Sequence, residues 1–239
     1  MKSFLFSIVL CASLASFGQN LTAAKILEKS INYHDPNGNW NTIKAGFTVE
    51  MTTPNASKRT SQIRIDLVKE FFSVKATRDT VTTIYSVNKG ICGMSYNGKD
   101  LDSITAKEKN MSCDRATLYK NYYTYLYGLP MKLKDPGTNL SENAEKKTFK
   151  GKDYLVLKVT YDEAVGSDVW YFYFNPKTYA MEVYQFFKTD ENGNEKPDSG
   201  EYILLTDEAV VNGIKMPKVR AWYYNKDDGY LGTDTLVDK

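Results

Sequence analysis

Between Val169 and Tyr224 the chain reads VWYFYFNPKTYAMEVYQFF, a polar loop, and then YILLTDEAVVNGIKMPKVRAWYY. Runs this rich in aromatic and β-branched residues favour strand over helix. Each run stops at a group with a backbone reason to turn. Pro176 supplies a fixed φ after Asn175, and Asn212-Gly213 tolerates the positive φ of a tight hairpin. The stretch therefore predicts an antiparallel meander, broken at Asn175-Pro176, over residues 190–200 and at Asn212-Gly213. It carries more aromatic surface than a plain sheet needs.

Upstream, the same period-2 pattern recurs. Ile43, Ala45, Phe47, Val49 and Met51 alternate with Lys44, Gly46, Thr48 and Glu50, and Ile63, Ile65 and Leu67 alternate with Arg64 and Asp66. Phe72, Val74 and Ala76 follow, then a run over residues 81–87, with turns at Asn88-Lys89-Gly90 and Asn97-Gly98. Hairpins in series with no helix between them argue for an antiparallel rather than a βαβ sheet. Two segments break the pattern. Thr22 can cap a helix running to about Tyr33, with Ala23, Ile26, Leu27 and Ile31 on one face. Residues 112–127 read as a second helix, with Leu118, Tyr122 and Leu126 at helical spacing and Tyr119 and Tyr123 beside them; Gly128-Leu129-Pro130 ends it. Its five tyrosines (Tyr119, Tyr122, Tyr123, Tyr125, Tyr127) fit a helix lying across a sheet with hydroxyls at the water boundary, or a lid over an apolar cavity. Residues 139–147 read as a polar link. The fold class expected is α+β: one curved antiparallel sheet with an N-terminal helix and a mid-chain helix on its concave face, in a single domain over residues 19–239.

The N-terminus predicts export. Met1-Lys2, an apolar core over residues 4–14, and small residues Ser16 and Gly18 around Phe17 form a signal peptide over residues 1–18, cleaved before Gln19. The alternative, a membrane anchor, asks too few apolar residues to span about 30 Å of hydrocarbon. Cys11 leaves with the leader, and Cys92 and Cys113 remain. An even pair in an oxidising compartment reads as a disulfide, with two buried thiols as the alternative. The expected location is periplasmic or secreted.

Charge and motifs narrow the function classes. There are 31 Lys and Arg against 29 Asp and Glu, a formal net charge of +2, and losing Lys2 with the leader leaves +1. This balance argues against nucleic acid as the main partner. His34 is the only histidine, which rules out multi-histidine metal sites within one chain and leaves it a turn residue beside Pro36. Asp190, Asn192, Asn194, Asp198 and Glu201 crowd one loop, but Gly193 stands fourth from Asp190 rather than sixth as a calcium loop needs. Asp227-Asp228 reads as loop charge. No GxSxG, HExxH, CxxC or phosphate-cradling glycine motif occurs. No catalytic residue, metal or cofactor is expected, and the chain reads as a non-enzyme.

A family resemblance is carried by three segments. YFNPKTYAMEVYQFF (Tyr173 to Phe187) is similar to the strand, N-P turn and outgoing strand of the LolA-like lipoprotein-carrier superfamily. DEAVVNGIKMPKVRAWYY (Asp207 to Tyr224) resembles its closing hairpin, and ILEKSINYHDPNGNWNTIKAGFTVEM (Ile26 to Met51) its helix-to-strand entry. YLYGLPMKLKDPGT (Tyr125 to Thr138) looks more like an uncharacterised exported subgroup than a carrier proper. The resemblance implies an unclosed β-barrel whose concave face, covered by helices, holds acyl chains. The candidate ligand-binding residues are Phe47, Val49, Phe72, Tyr122, Tyr171, Tyr173, Val183 and Trp222. The partner expected is an apolar ligand, a lipid or acyl chain, with an envelope protein and peripheral membrane contact also compatible. The alternative is an interaction or sensor module of the envelope with a filled core.

Overall fold

The computed structural model describes residues 22–237. The leader, its cleavage point and Cys11 lie outside them. Helix α1 (Ala23–His34) opens the described chain, and β1 (Lys44–Thr53), β2 (Ala56–Asp66), β3 (Phe71–Arg78), β4 (Val81–Asn88), β5 (Ile91–Tyr96) and the two-residue β6 (Lys99–Asp100) follow as a meander. Helices α2 (Ser103–Glu108) and α3 (Cys113–Gly128) come next. The second half is all strand: β7 (Thr138–Leu140), β8 (Glu145–Phe149), β9 (Lys152–Tyr161), β10 (Val169–Phe174), β11 (Met181–Phe187), β12 (Glu201–Val211), β13 (Ile214–Tyr224) and β14 (Tyr230–Val237).

All fourteen strands belong to one antiparallel sheet, ordered β6-β5-β4-β3-β2-β1-β14-β13-β12-β11-β10-β9-β7, with β8 also on β9. The two meanders meet at the centre, where β14 returns to pair with β1 through Val49 opposite Leu236. The sheet curves but does not close on itself. The helices lie on its concave face.

Local chemistry explains most of these boundaries. The Lys25 amide donates to the Thr22 hydroxyl at 3.3 Å and the Arg115 amide to the Ser112 hydroxyl at 3.2 Å, so both long helices start on a side-chain cap. Lys89-Gly90, Asn97-Gly98 and Asn212-Gly213 all take positive φ at both central positions, the backbone that matches the right-handed twist of paired strands. Asn175 accepts from the Lys177 amide at 2.9 Å and so shapes the β10–β11 turn. The Asp190 carboxylate accepts from the amides of Asn192 and Asn194, ordering the acidic loop from within.

Three features depart from the sequence expectation. The polar link holds two strands, β7 and β8, whose Lys146 and Lys147 place charge on a sheet edge, where it discourages pairing with another chain. Helix α2, capped by Asp102 through the Thr105 amide at 2.8 Å, was too short for a periodic signal. His34 is no turn residue. It ends α1, is 1% exposed, and uses both ring nitrogens: Nδ1 lies 2.7 Å from the Lys215 carbonyl, and Nε2 is 2.9 Å from the Met181 amide. An amide can only donate, so Nε2 accepts and the proton sits on Nδ1, which donates to the carbonyl. The ring pins α1 to β13 and β11 in its neutral form.

Burial is the main cause that lowers the His34 pKa below its ordinary 6.5. Above about pH 6.5 the folded and unfolded rings are both neutral and the contribution is intact; below it the unfolded chain takes up a proton the folded chain resists. Unfolding free energy should therefore fall as the pH drops below about 6.5. His34→Gln, less stable at neutral pH, should lose that part of the slope; an unchanged slope in urea titrations of the variant would assign it to other groups. At Gly128 an added Cβ would sit 2.2 Å from Trp40 Cζ2. Gly128→Ala should cost about 1–3 kcal/mol by overpacking, read as a lower urea midpoint at constant m.

Candidate functional site

Helix α3 builds the site. The Cys92–Cys113 disulfide, with Cα atoms 5.6 Å apart, fastens its first residue to β5. At its other end Gly128 lies against Trp40, and Leu129, Met131 and Leu133 are buried just beyond. Between these anchors the tyrosines lie on the concave face. Tyr127 packs on Phe47 with ring centroids 4.8 Å apart, Tyr123 on Phe72 at 6.1 Å, and Tyr119 on Tyr85 at 5.2 Å. Tyr122 stacks on Trp222 at 6.4 Å, and Tyr125 meets Trp170 edge-on at 5.8 Å. One helix thus touches β1, β3, β4, β13 and β10. Its buried stripe is Ala116, Tyr123, Leu126 and Tyr127, whereas Leu118, at helical spacing from Tyr122 and Leu126, is 63% exposed.

On its outer flank α3 faces the loop over residues 162–168 across a cleft of about 640 Å³. Leu118, Tyr122, Tyr125, Tyr161, Val165 and Trp170 give the cleft its apolar lining, and Lys132, Asp135 and Asp168 stand among its polar groups. Tyr125 and Tyr161 share a hydrogen bond through their hydroxyls. Burial pushes the Tyr161 hydroxyl up to about 12 and raises that of Tyr125 as well, so both remain neutral phenols.

Of the predicted ligand residues, Phe47, Val49, Phe72 and Trp222 do lie on the concave face, with Tyr122 above them on α3. Phe47 and Phe72 are packed core beneath tyrosine rings. Tyr171, Tyr173 and Val183 are on the opposite face, in a second cluster with Tyr154, Val156 and Val169. There Tyr171 donates to Glu195 at 2.7 Å, Tyr173 donates to Gln185 at 2.6 Å, and Phe149 of β8 covers Tyr173. The correction follows from the pleat. Successive side chains alternate between faces, so a one-residue phase error moves a whole row across the sheet. In VWYFYF every position is apolar, and the inward row is Trp170, Phe172 and Phe174.

The concave face also carries charge that the strand alternation does not announce. Arg220 is 1% exposed and Asp234 4%, and they stand opposite each other on β13 and β14. The Arg220 guanidinium carbon lies 3.9 Å from the Tyr127 ring centroid, and one terminal nitrogen donates to the Pro217 carbonyl at 2.9 Å. Arg220 Nε, Asp234 Oδ1 and the hydroxyls of Tyr127 and Tyr184 are buried with no hydrogen-bond partner. Arg220 acts on the Tyr184 hydroxyl electrostatically, yet the two groups do not meet at bonding geometry. Burial raises the Asp234 pKa, opposed by Arg220 and Arg59. A signal for Arg220 was present: it shares parity with Trp222, so any register that buries one points the other the same way.

The disulfide tethers α3 to β5. Cys92→Ser/Cys113→Ser should lose about 3 kcal/mol, the chain-entropy value for a loop of this length. Denaturant melts of variant and wild type measure it, and equal midpoints would show the tether to be energetically idle.

A family model described as "Family of unknown function (DUF6503)" matches residues 2–239. No curated protein matches the chain. Among solved structures, a LolA superfamily protein from Nitrosomonas europaea is 12% identical, covers 91% of this chain and 92% of its own, and superposes with a TM-score of 0.53. At that identity the likeness shows a shared fold: the LolA-like one. A DUF1329 family protein from Desulfovibrio piger, 6% identical, covers 90% of this chain and 91% of its own at a TM-score of 0.47, an overlap too loose to carry an inference.

Proposed function

This chain belongs to the DUF6503 family, whose function is unknown, and for it we propose a role as an exported, non-enzymatic binding protein that takes an apolar ligand, a lipid or acyl chain, beside α3. The observation that carries this reading is the cleft of about 640 Å³ between α3 and residues 162–168, where Tyr122, Tyr125 and Trp170 meet at the end of the concave face. Aromatic and aliphatic side chains share this recess with several polar groups, a combination that small-molecule sites use for burial and orientation. Leu118 and Val165, 63% and 58% exposed, offer aliphatic surface to whatever enters. Export, as expected from a leader over residues 1–18, supports this reading, because an acyl chain outside the cytoplasm needs shielding from water. The cleft thus takes over the role first given to Phe47 and Phe72, which are held under Tyr127 and Tyr123.

A second reading has one observation in its favour. The packing of α3 onto Phe47, Phe72 and Tyr85 fills much of the concave face, which suits an envelope interaction module with a solid interior.

Titrating the delipidated protein with a fluorescent fatty acid separates the two. Saturable binding near one per chain is expected. Leu118→Asp and Val165→Asp should weaken it by about tenfold, since a carboxylate is costly to desolvate against an acyl chain. Their thermal midpoints should stay at the wild-type value, because both side chains already face water. Absence of saturable binding by the folded protein would leave the interaction module as the better reading.

A further inference from the structure

The cleft and the buried polar groups are neighbours. Tyr122 lines the cleft and stacks on Trp222, and Trp222 stands edge-on to Tyr184 at 6.2 Å. Trp170, also at the cleft, lies 6.1 Å from Tyr184 between ring centroids. Two residues before Trp222, on the same face of β13, comes Arg220, with Asp234 opposite it and the Tyr127 ring over it. Tyr122 is therefore the wall between an apolar recess open to solvent and a row of polar groups sealed from it.

That row is unusual in what it leaves unmade. A buried donor or acceptor without a partner costs about 1–3 kcal/mol, and here Arg220 Nε, Asp234 Oδ1, Tyr127 Oη and Tyr184 Oη are all unpaired beneath one helix. The two hydroxyls and the guanidinium can donate, and together they point to an acceptor. Charge gives the sign. Arg220 stands opposite Asp234, and Arg59 lies in the same cross-strand row on the far side of Met51, so two guanidiniums share this part of the face with one carboxylate. An anion is favoured over a cation, and a planar carboxylate suits a guanidinium and phenol hydroxyls in geometry as well.

Resting on the apolar-ligand reading above, we infer that the row behind Tyr122 receives the ionised carboxylate of a single-chain fatty acid, with Arg220, Tyr127 and Tyr184 as its donors and the acyl chain lying in the cleft. Tyr122 turns aside as the head passes. Its ring is held by stacking on Trp222 and an edge contact with Tyr123 at 5.1 Å, and it has no bond into the sheet to break. The ligand is then bound head inward, its charge neutralised inside the fold and its methyl end toward the mouth.

Palmitate and hexadecanol, which share a chain and differ in the head, test this by displacement of a fluorescent probe from the delipidated protein. Palmitate should bind about tenfold more tightly, the equivalent of about 1.4 kcal/mol from charge-assisted hydrogen bonds. Tyr127→Phe and Tyr184→Phe should each weaken palmitate about three- to tenfold and leave hexadecanol unchanged. Both variants delete a hydroxyl that lacks a partner, so their thermal midpoints should equal or exceed that of the wild type, and a loss of palmitate affinity then reports the ligand and not the fold. Equal affinity for acid and alcohol, or palmitate binding indifferent to both variants, overturns the carboxylate assignment while hexadecanol binding keeps the apolar-ligand reading. Binding of neither amphiphile overturns both.

Discussion

The structure depends on one contact surface, the tyrosine face of α3 laid over the concave side of an open sheet. A curved sheet that does not close leaves its inner face in need of cover. Here Phe47, Phe72, Tyr85, Trp170 and Trp222, from five different strands, are each met by a tyrosine of the same helix. Each large side chain so buried is worth about 1.5–3 kcal/mol, and aromatic pairs add about 0.5–1.5. The disulfide at Cys113 and the buried segment after Gly128 hold both ends of the helix. Helix α3 is thus a roof fixed at two ends, and the cleft along its flank is the opening that geometry leaves.

Tyrosine suits this position better than phenylalanine would. The ring supplies apolar contact and the hydroxyl a polar tip, so one residue type serves both the core and the water boundary. Tyr125 and Tyr161 satisfy each other at the cleft. Tyr127 and Tyr184 are different, since they sit with Arg220 and Asp234 in a row that packing alone would have filled with leucine. Polar groups left unsatisfied in a core detract from stability, and their retention marks a place where something other than stability shapes the fold.

Much of the fold was legible. The hairpins at Asn88-Lys89-Gly90, Asn97-Gly98 and Asn212-Gly213 all form, and the caps at Thr22 and Ser112 start helices within a residue of expectation. The lapses have separate physical causes. Strands β7 and β8 are short edge strands, kept polar against aggregation, and so carry no alternation to read. In β10 the reverse holds: with every position apolar, the alternation has no phase, and Tyr171 and Tyr173 were placed on the wrong face. In α3 the crowding of tyrosines blurs the stripe: Leu118 shares helical spacing with Tyr122 and Leu126 yet is exposed at the cleft.

The order and type of the long elements were legible in the chain alone, because turns, caps and alternation arise from groups within a few residues of one another. It also carried the likeness to the LolA-like fold and the pair of cysteines that join. Only the fold set which face each aromatic row takes, that Arg220 and Asp234 stand opposite each other near Tyr127 with Nε and Oδ1 lacking partners, and that the recess lies beside α3 instead of beneath it. Those outcomes depend on strand neighbours drawn from opposite ends of the chain. Val49 meets Leu236, and Tyr122 meets Trp222, only after the last strand has returned to the first. Contacts formed across such separations are set by which packing buries most surface, and no local pattern encodes that choice.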